Sequence, residues 1–372
     1  MKKTTLRPLT IALALLLALT MGTPAAGASR LKIESIVEDL IHPWALVFLP
    51  DGDLLISERA GQLRRLSTVD ARDGVIQGTP DAFVASQGGY QDLALHPDYP
   101  SNGWIYLTLA VGSSNANATQ LVRGRLDGLN WVDEEVLFTA RPSKSTPVHY
   151  GARIAFLPDQ TLLLSVGDGF DYREAAQDLS SHLGKLLRLE DDGSVPEDNP
   201  FVDQPGIAPE IFTLGHRNAQ GIVSDDVSGH IWAHEHGPRR GDELNLIVAG
   251  GNYGWPVVTA GRDYTGAQIT PFRSRPNMID PAWVWSETIA PGGLALYRGE
   301  MFADWEGQLL VAGLVDRDLR RLVIDGDQVI ADHSLNLDLD RRIRDVRVGP
   351  DGAIYVLTDE PSGAVLRITP DD

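Results

Sequence analysis

A histidine and an aspartate flank one predicted β-strand, which contains the apolar residues 162–164. His149 comes in a run of small and polar residues before it, and Asp168 stands between two glycines after the apolar residues 162–164. A carboxylate beside an imidazole tunes that imidazole as a general base. The pair therefore indicates acid–base chemistry, although His149 taken alone also fits a structural histidine with satisfied hydrogen bonds.

A second cluster is rich in oxygen ligands. Residues 235–243 combine the dipeptide Gly237-Pro238 with the carboxylates of Asp242 and Glu243. Calcium takes about six to eight oxygen ligands from carboxylates and carbonyls, so this cluster favours calcium. Zinc is the rival, because the histidines at 234 and 236 could both donate, but no third ligand accompanies them at a typical zinc spacing.

Arginines form a third cluster near the C-terminal end. Arg342 and Arg344 are two positions apart, so on a β-strand their side chains would lie on one face. Two guanidiniums on one face bind carboxylate or phosphate groups by bidentate hydrogen bonds. The alternative is that they are surface charges paired with Asp340 and Asp345.

A repeated pattern indicates the fold that positions these clusters. A turn with Gly or an equivalent precedes a short apolar strand six times, at turns near residues 51, 102, 159, 228, 306 and 351. Spacings of 45 to 78 residues fit propeller blades of four antiparallel strands with long loops in the middle units. We predict an all-β, six-bladed β-propeller over residues 29–372, with the repeated strands innermost and polar residues at strand ends facing a central opening. An ordinary β-sandwich is the alternative.

The N-terminus predicts export. Residues 1–28 contain Lys2, Lys3 and Arg7, then the apolar run 11–19 and small residues, which is the pattern of a cleaved secretory signal peptide. We expect a periplasmic or secreted protein without stable membrane insertion, because no stretch approaches the roughly 20 apolar residues of a membrane helix. The formal net charge of −19 argues against nucleic acid as a partner.

In this order, the clusters resemble those of the soluble pyrroloquinoline quinone (PQQ)-dependent sugar dehydrogenases, the glucose/sorbosone dehydrogenase family that includes bacterial aldose sugar dehydrogenase. The resemblance runs from about residue 40 to residue 370 and rests on segments 44–52, 87–89, 94–98, 149–153, 215–218, 235–238, 241–245, 252–256 and 342–346. It implies a propeller that binds PQQ and Ca²⁺ over its central opening. The implied reaction is oxidation of an aldose at the anomeric carbon to a lactone, with electrons passed to an external acceptor.

The resemblance also implies roles for individual residues. His149 would remove the proton of the anomeric hydroxyl, Asp168 would orient His149, and Arg217 would belong to the same catalytic group. The implied PQQ-binding residues are Gln87, His149, Arg217, Asn218, Arg342 and Arg344. The implied calcium-binding residues are Gly237 and Pro238, through their carbonyls, and Glu243 and Tyr253 at a second, structural site.

One position departs from the family pattern. Val315 stands where the family has a lysine that contacts the cofactor, and Arg317 could supply that charge from two residues along. Without such a charge, cofactor affinity should fall. Because of this departure, a non-catalytic propeller that binds a sugar or a protein stays open. A calcium-dependent lactonase-type hydrolase also stays open, because a propeller with a central cation and a histidine base suits water activation.

Overall fold

The computed structural model describes residue 1 and residues 31–67 and 73–371. Apart from Met1, the predicted signal peptide of residues 1–28 lies outside these residues and stays a prediction. Within the described ranges, no helix combines the length and apolar character needed to cross a membrane.

Short β-strands are the main regular structure of the described chain, as the Gly- and Pro-rich turns between apolar segments predict. The first twelve strands are β1 (Leu31–Leu40), β2 (Pro43–Phe48), β3 (Leu54–Glu58), β4 (Gln62–Leu66), β5 (Asp73–Val75), β6 (Tyr90–Leu95), β7 (Ile105–Ser113), β8 (Ala116–Asp127), β9 (Asn130–Thr139), β10 (Gly151–Phe156), β11 (Leu162–Val166) and β12 (Lys185–Leu189). The remaining strands are β13 (Ile211–Leu214), β14 (Ala219–Ser224), β15 (Ile231–Glu235), β16 (Glu243–Leu246), β17 (Trp283–Val284), β18 (Pro291–Leu296), β19 (Leu309–Gly313), β20 (Leu319–Asp325), β21 (Gln328–Ser334), β22 (Ile343–Val348), β23 (Ile354–Thr358) and β24 (Gly363–Pro370). Helix α1 (Tyr99–Asn102) and the 3₁₀ turns Arg173–Gln177 and Ala303–Trp305 connect strands.

These strands form six four-stranded antiparallel blades, which confirms the predicted all-β, six-bladed propeller. Five blades use consecutive strands, from β2-β3-β4-β5 to β18-β19-β20-β21. The last blade contains β22, β23 and β24, and its outer strand is β1, with Leu31 opposite Pro370. The two ends of the propeller chain therefore close the ring, which leaves only short, protected sheet edges.

The prediction that the repeated strands are innermost is wrong. Strands β3, β11 and β23, which follow the repeated turns, are second in their blades, and the innermost strands precede the turns. The innermost strands β2, β6, β10, β14, β18 and β22 are the ones that approach their counterparts in neighbouring blades. The turn pattern identifies a hairpin, but both of its strands are apolar and largely buried, so the pattern does not reveal which one faces the axis.

Apolar cores lie between the blades, and buried ion pairs lie nearer the axis. Leu55 of the first blade packs with Leu93 of the second in one such core. Arg153 on β10 is 2.9 Å from Asp92 on β6 and 3.0 Å from Asp345 on β22. Arg347 bridges the same two carboxylates at 2.8 Å each. Because these buried charges are paired, the network fixes three inner strands relative to one another.

Candidate active site

The loop before β10 holds His149 in a defined position. The backbone of His149 has a φ of 53°, in the left-handed region that residues with a side chain rarely adopt. Its amide donates to Oε1 of Gln87 at 2.8 Å. A Cβ atom at Gly167 would collide with the carbonyl of His149, so only glycine allows this close approach of the two loops.

The imidazole of His149 is hydrogen-bonded to Asp168, with 2.7 Å between Nδ1 and Oδ1. The amide of Phe170 donates to the same oxygen at 2.8 Å, and Nε1 of Trp255 donates to Oδ2 at 2.8 Å. Both members of the pair are buried. The carboxylate is thus held on both oxygens, and its orientation fixes that of the imidazole.

The pair favours a neutral imidazole beside a charged carboxylate. Burial lowers the pKa of His149, the hydrogen bond to Asp168 opposes this shift, and the charges of Arg217 and Lys144 lower the pKa further. Burial opposes ionisation of Asp168, but its hydrogen bond and Coulombic interaction with His149, together with Arg217, leave its pKa below the ordinary value. Because an ionised carboxylate only accepts, Nδ1 carries the proton and Nε2 remains as the basic nitrogen.

Arg217 brings an unneutralised positive charge next to this pair. Its carbonyl accepts from the amide of Asp168 at 2.8 Å, and its Nη1 donates to the carbonyls of His236 (3.0 Å) and Gly237 (2.8 Å). Its Nη2 donates to the hydroxyl of Tyr264 at 3.2 Å. Within the described chain, no carboxylate forms an ion pair with this guanidinium, so it can stabilise an anion or a developing negative charge.

Asn218, which the sequence predicts to bind PQQ, is hydrogen-bonded within the protein. Its Oδ1 accepts from the amide of Gly151 at 3.1 Å. The backbone amides of Arg217 and Asn218 both donate to the carboxylate of Glu235. Strand β15 therefore positions the loop that carries both residues.

A cleft of about 260 Å³ opens beside the His149–Asp168 pair. Phe170 and Tyr264 form one side of it, with ring centroids 6.0 Å apart, and the Phe170 ring lies edge-on to His149 at 5.2 Å. The polar lining residues are Asp168, Asp171, Arg173, Arg217 and Asp263. Aromatic faces combined with several hydrogen-bonding groups suit a small polar ligand such as a sugar ring.

Arg342 and Arg344 both interact with Asp359, which follows β23. The distances to Oδ2 of Asp359 are 3.7 Å from Nε of Arg342 and 2.6 Å from Nη2 of Arg344. The buried Nε of Arg344 has no hydrogen-bond partner in the described chain. The alternative pairing with Asp340 and Asp345 is wrong, because those carboxylates pair with Arg317 and with the axial arginines, respectively.

These groups meet around His236. Burial lowers the pKa of His236 well below its ordinary value, and the charges of Arg217, Arg344 and His149 lower it further. All three groups therefore lie within electrostatic range of one half-buried imidazole. We call the region formed by Gln87, His149, Arg217, His236 and Arg344 the mouth of the propeller.

Asp242, which the sequence placed among the oxygen ligands, is hydrogen-bonded to the backbone. Its Oδ1 accepts from the amide of Gly237 at 2.8 Å, and its Oδ2 accepts from the amides of Ile289 (2.9 Å) and Ala290 (2.8 Å). Both oxygens of Asp242 therefore already have backbone donors. This carboxylate joins the loop after β15 to the segment just before β18, because it accepts hydrogen bonds from backbone amides of both segments.

The other predicted calcium residues lie in two places. Pro238 lines the cleft, and the carbonyl of Gly237 is hydrogen-bonded to Arg217. Glu243 and Tyr253 line a neighbouring small cavity together with Glu235. In the described ranges, no group of three or more His, Asp or Glu side chains is arranged to hold a metal ion.

The zinc alternative has no support in the positions of the histidines. Nε2 of His234 lies 3.4 Å from the carbonyl of Gly293, and Nε2 of His236 lies 2.9 Å from that of Pro291. Each histidine therefore already contacts the backbone of β18.

Sequence reasoning missed two cationic residues at the mouth, Arg59 and Lys144. Arg59 follows β3 as Asp168 follows β11 and Asp359 follows β23, so its place just beyond a second strand was a usable signal. Lys144 had no comparable signal, because it lies in an irregular loop. Its Nζ donates to Oδ1 of Asn117 (2.9 Å) and to the carbonyl of Thr146 (2.6 Å).

Burial lowers the pKa of Lys144 to about 7, and the nearby Asp168 opposes this shift. The Nζ atom also lies 3.5 Å from the ring centroid of Tyr150, the residue after His149. Lys144 thus places a titratable cation close to the candidate base.

Comparison with known proteins identifies the family. The model of the family described as Glucose / Sorbosone dehydrogenase matches residues 40–367. The chain belongs to this family. An uncharacterised protein from Synechocystis is 42% identical over 368 residues, which cover 92% of this chain and 87% of that protein. The aldose sugar dehydrogenase of Escherichia coli is 38% identical over 351 residues, covering 93% of this chain and 94% of the relative.

Solved structures of family relatives have the same fold. The apo crystal structure of the soluble aldose sugar dehydrogenase from Escherichia coli has a TM-score of 0.88 and 37% identity, covering 92% of this chain and 100% of that chain. The PQQ-bound aldose sugar dehydrogenase from Streptomyces coelicolor has a TM-score of 0.74 and 29% identity, covering 91% and 99%. Family and relatives together support sugar dehydrogenase activity, and hence an oxidoreductase.

Proposed function

We propose that this protein is a PQQ-dependent aldose sugar dehydrogenase that oxidises the anomeric carbon of an aldose to a lactone and passes the electrons to an external acceptor. The observation that carries the proposal is the 2.7 Å hydrogen bond between His149 and the fully hydrogen-bonded Asp168 beside an open polar cleft. A sugar bound there would present its anomeric hydroxyl to a base of fixed orientation.

His149 is the proton acceptor in this proposal. Nε2 takes the proton of the anomeric hydroxyl, and the resulting imidazolium is stabilised by Asp168 through Nδ1. The depressed pKa of His149 keeps the imidazole neutral and able to accept at neutral pH. Arg217 offers its guanidinium to the oxygen on which negative charge develops as the proton leaves.

The mouth has the chemistry needed to hold a quinone that carries several carboxylates. Bound PQQ would supply the acceptor for the hydride released from the anomeric carbon. Arg342 and Arg344 would bind its carboxylates, and the unpartnered Nε of Arg344 is a donor available for that purpose. Arg217, Gln87, Asn218 and His149 complete the proposed set of cofactor contacts.

Calcium fits best near Glu243. Burial and then the neighbouring Glu235 raise the pKa of Glu243 well above its ordinary value, so negative charge there is poorly compensated. The buried Oδ1 of Asn245 also has no hydrogen-bond partner in the described chain. Oxygen atoms of this kind are ligands for a hard cation. Since the Tyr253 hydroxyl bonds Leu246 and Val248, a contribution from Tyr253 would have to come from its carbonyl.

At the other proposed calcium position, the carbonyls of Gly237 and Pro238 would be the ligands. A cation there would share the carbonyl of Gly237 with Arg217. The predicted signal peptide would place the whole reaction in the periplasm or outside the cell.

The test is reconstitution of the purified protein with PQQ and calcium, followed by dye reduction with a panel of aldoses. We expect cofactor-dependent dye reduction and a lactone product with at least one aldose. Absence of both PQQ binding and dye reduction would overturn the proposal. Hydrolysis of a lactone without PQQ would favour the hydrolase instead, and sugar binding that His149→Ala leaves unchanged would favour a non-catalytic propeller.

A further inference from the structure

Arg59 lies in the turn after β3, next to a segment that contributes to the mouth. Its amide donates to the carbonyl of His42 at 3.1 Å. A Cβ atom at Gly89 would lie 3.1 Å from Cγ of Arg59 and would collide with its carbonyl. Gly89 itself has a φ of 123°, which favours glycine at this position. The backbone and Cγ of Arg59 therefore lie against Gly89. Gly89 comes two residues after Gln87, whose Oε1 accepts from the amide of His149.

The guanidinium of Arg59 has no dedicated partner. In the ranges that the structure describes, it makes no hydrogen bond or ion pair, although it is only partly exposed. His42, whose carbonyl accepts from the Arg59 amide, has its Nδ1 3.4 Å from Oδ1 of Asp359, so Arg59 lies close to this carboxylate. The charges of Asp359, Arg344 and Arg342 act on the Arg59 guanidinium. Three guanidiniums thus share one carboxylate, because both other arginines are already within ion-pair distance of Asp359.

This arrangement leaves positive charge in excess around Asp359. Burial lowers the pKa of Arg59, Asp359 opposes the shift, and the positive charges of Arg344 and Arg342 lower the pKa further. The desolvated part of such a charge depends on hydrogen bonds and opposite charge within the protein, and one carboxylate has too few acceptor sites for three guanidiniums. The unpartnered Nε of Arg344 is a second sign of the same shortage of acceptors.

We propose that Arg59 forms, with Arg342 and Arg344, a three-arginine site that binds a carboxylate of the cofactor. Its guanidinium adds a positive charge to a cofactor site that lacks the family lysine at Val315. Arg317 does not supply it, because its guanidinium is paired with Asp340. This inference rests on the proposed PQQ-dependent function for the identity of the anion.

The test measures binding without turnover. PQQ is titrated into the apo protein, and quenching of tryptophan fluorescence gives the Kd for wild type, Arg59→Gln and Arg59→Lys. A hydrogen bond to a charged group is worth enough to raise the Kd about 10- to 100-fold when lost, so we expect that change for Arg59→Gln. Arg59→Lys should fall between the two, because it keeps the charge but not the planar fork.

Arg321→Gln is the matched control. Arg321 is also partly buried, and burial likewise lowers its pKa, but it lies on β20 away from the mouth. The Kd of the Arg321→Gln variant for PQQ should equal that of wild type. Melting temperatures of all variants show whether each is folded.

The outcomes separate this inference from the proposed function. If wild type and Arg59→Gln bind PQQ equally, the three-arginine site is wrong and the proposed function stands. If wild type does not bind PQQ, the proposed function fails, and citrate replaces PQQ as the probe. Stabilisation of wild type by citrate that Arg59→Gln abolishes would then support an anion site, and equal stabilisation or none would overturn it.

Discussion

The two sides of the mouth handle charge in opposite ways. On one side, Asp168 accepts hydrogen bonds from His149, Trp255 and a backbone amide, so the carboxylate is fully satisfied within the protein. On the other side, Asp359 stands among Arg59, Arg342 and Arg344, and positive charge is in excess. The His149–Asp168 pair needs no ligand to complete its hydrogen bonds, whereas the arginines around Asp359 lack an anion.

This difference separates orientation from binding. A base works when its geometry is fixed before the substrate arrives, which a closed hydrogen-bond set provides. A site for an anionic cofactor gains affinity when its own charges are left partly uncompensated. We therefore expect substitutions on the His149 side to change turnover and those on the Asp359 side to change cofactor affinity.

The largest expected effect is that of His149→Ala. Loss of a general base should lower kcat about 10²- to 10⁴-fold, with a smaller change in the Kd for PQQ, because the arginines remain. Steady-state dye reduction at saturating PQQ measures this effect. The control is His333→Ala, on the exposed outer strand β21, which should keep wild-type kcat. Full activity of His149→Ala would show that His149 is not the general base.

Arg344→Gln should act on affinity. Loss of the guanidinium removes donors to the anion, so we expect the Kd for PQQ to rise about 10- to 100-fold while kcat at saturating PQQ stays near that of wild type. The control is Arg320→Gln, which breaks a similar arginine–aspartate pair, with Asp332, on another blade. A fall in kcat with an unchanged Kd would show that the two sides do not divide the work as proposed.

Lys144→Met should shift the pH dependence of kcat/KM. The ammonium of Lys144 lowers the pKa of His149, so removing the ammonium raises that pKa. As the pH is lowered, the variant should therefore lose activity at a higher pH than wild type. We expect the acid limb to move up by less than about one pH unit. Because the pKa of Lys144 is about 7, the two proteins should converge above that pH.

Two further measurements sharpen this prediction. NMR titration of His149 in the apo protein should show the same direction of shift without turnover. The exposed Lys32→Met is the control, since Lys32 pairs with Glu34 on the outer strand β1 and should leave the profile unchanged. An unmoved acid limb in a folded Lys144→Met protein would contradict the proposed electrostatic effect.

The smallest expected effect is a gain in affinity for PQQ. Val315 is 49% exposed in the loop after β19, so Val315→Lys would place a solvated charge there. Because water and salt screen such a charge, we expect the Kd for PQQ to fall only about two- to fivefold at low salt, and less at high salt. Val227→Lys, at an exposed turn of another blade, should leave the Kd unchanged. A lower Kd for PQQ in the Val227→Lys variant would show that net charge, and not the position of the charge, controls affinity.

Much of the fold and part of the mouth could be predicted from the sequence. The six turns were visible because turn chemistry is local and repeats with each blade. His149 and Asp168 were visible for the same reason, since both belong to the blade built on β10 and β11. The family motifs extended the prediction to Arg217, Arg342 and Arg344.

The tertiary structure alone decided which strand faces the axis, why Asp242 serves the backbone, and how Arg59 comes to lie near Asp359. Arg59 belongs to the first blade and Asp359 to the last, and only closure of the ring by β1 and β24 makes these blades neighbours. Local periodicity specifies each blade, because side-chain burial repeats along a strand. Contacts at the mouth depend on how all six blades fit together, so no single segment of the sequence contains them.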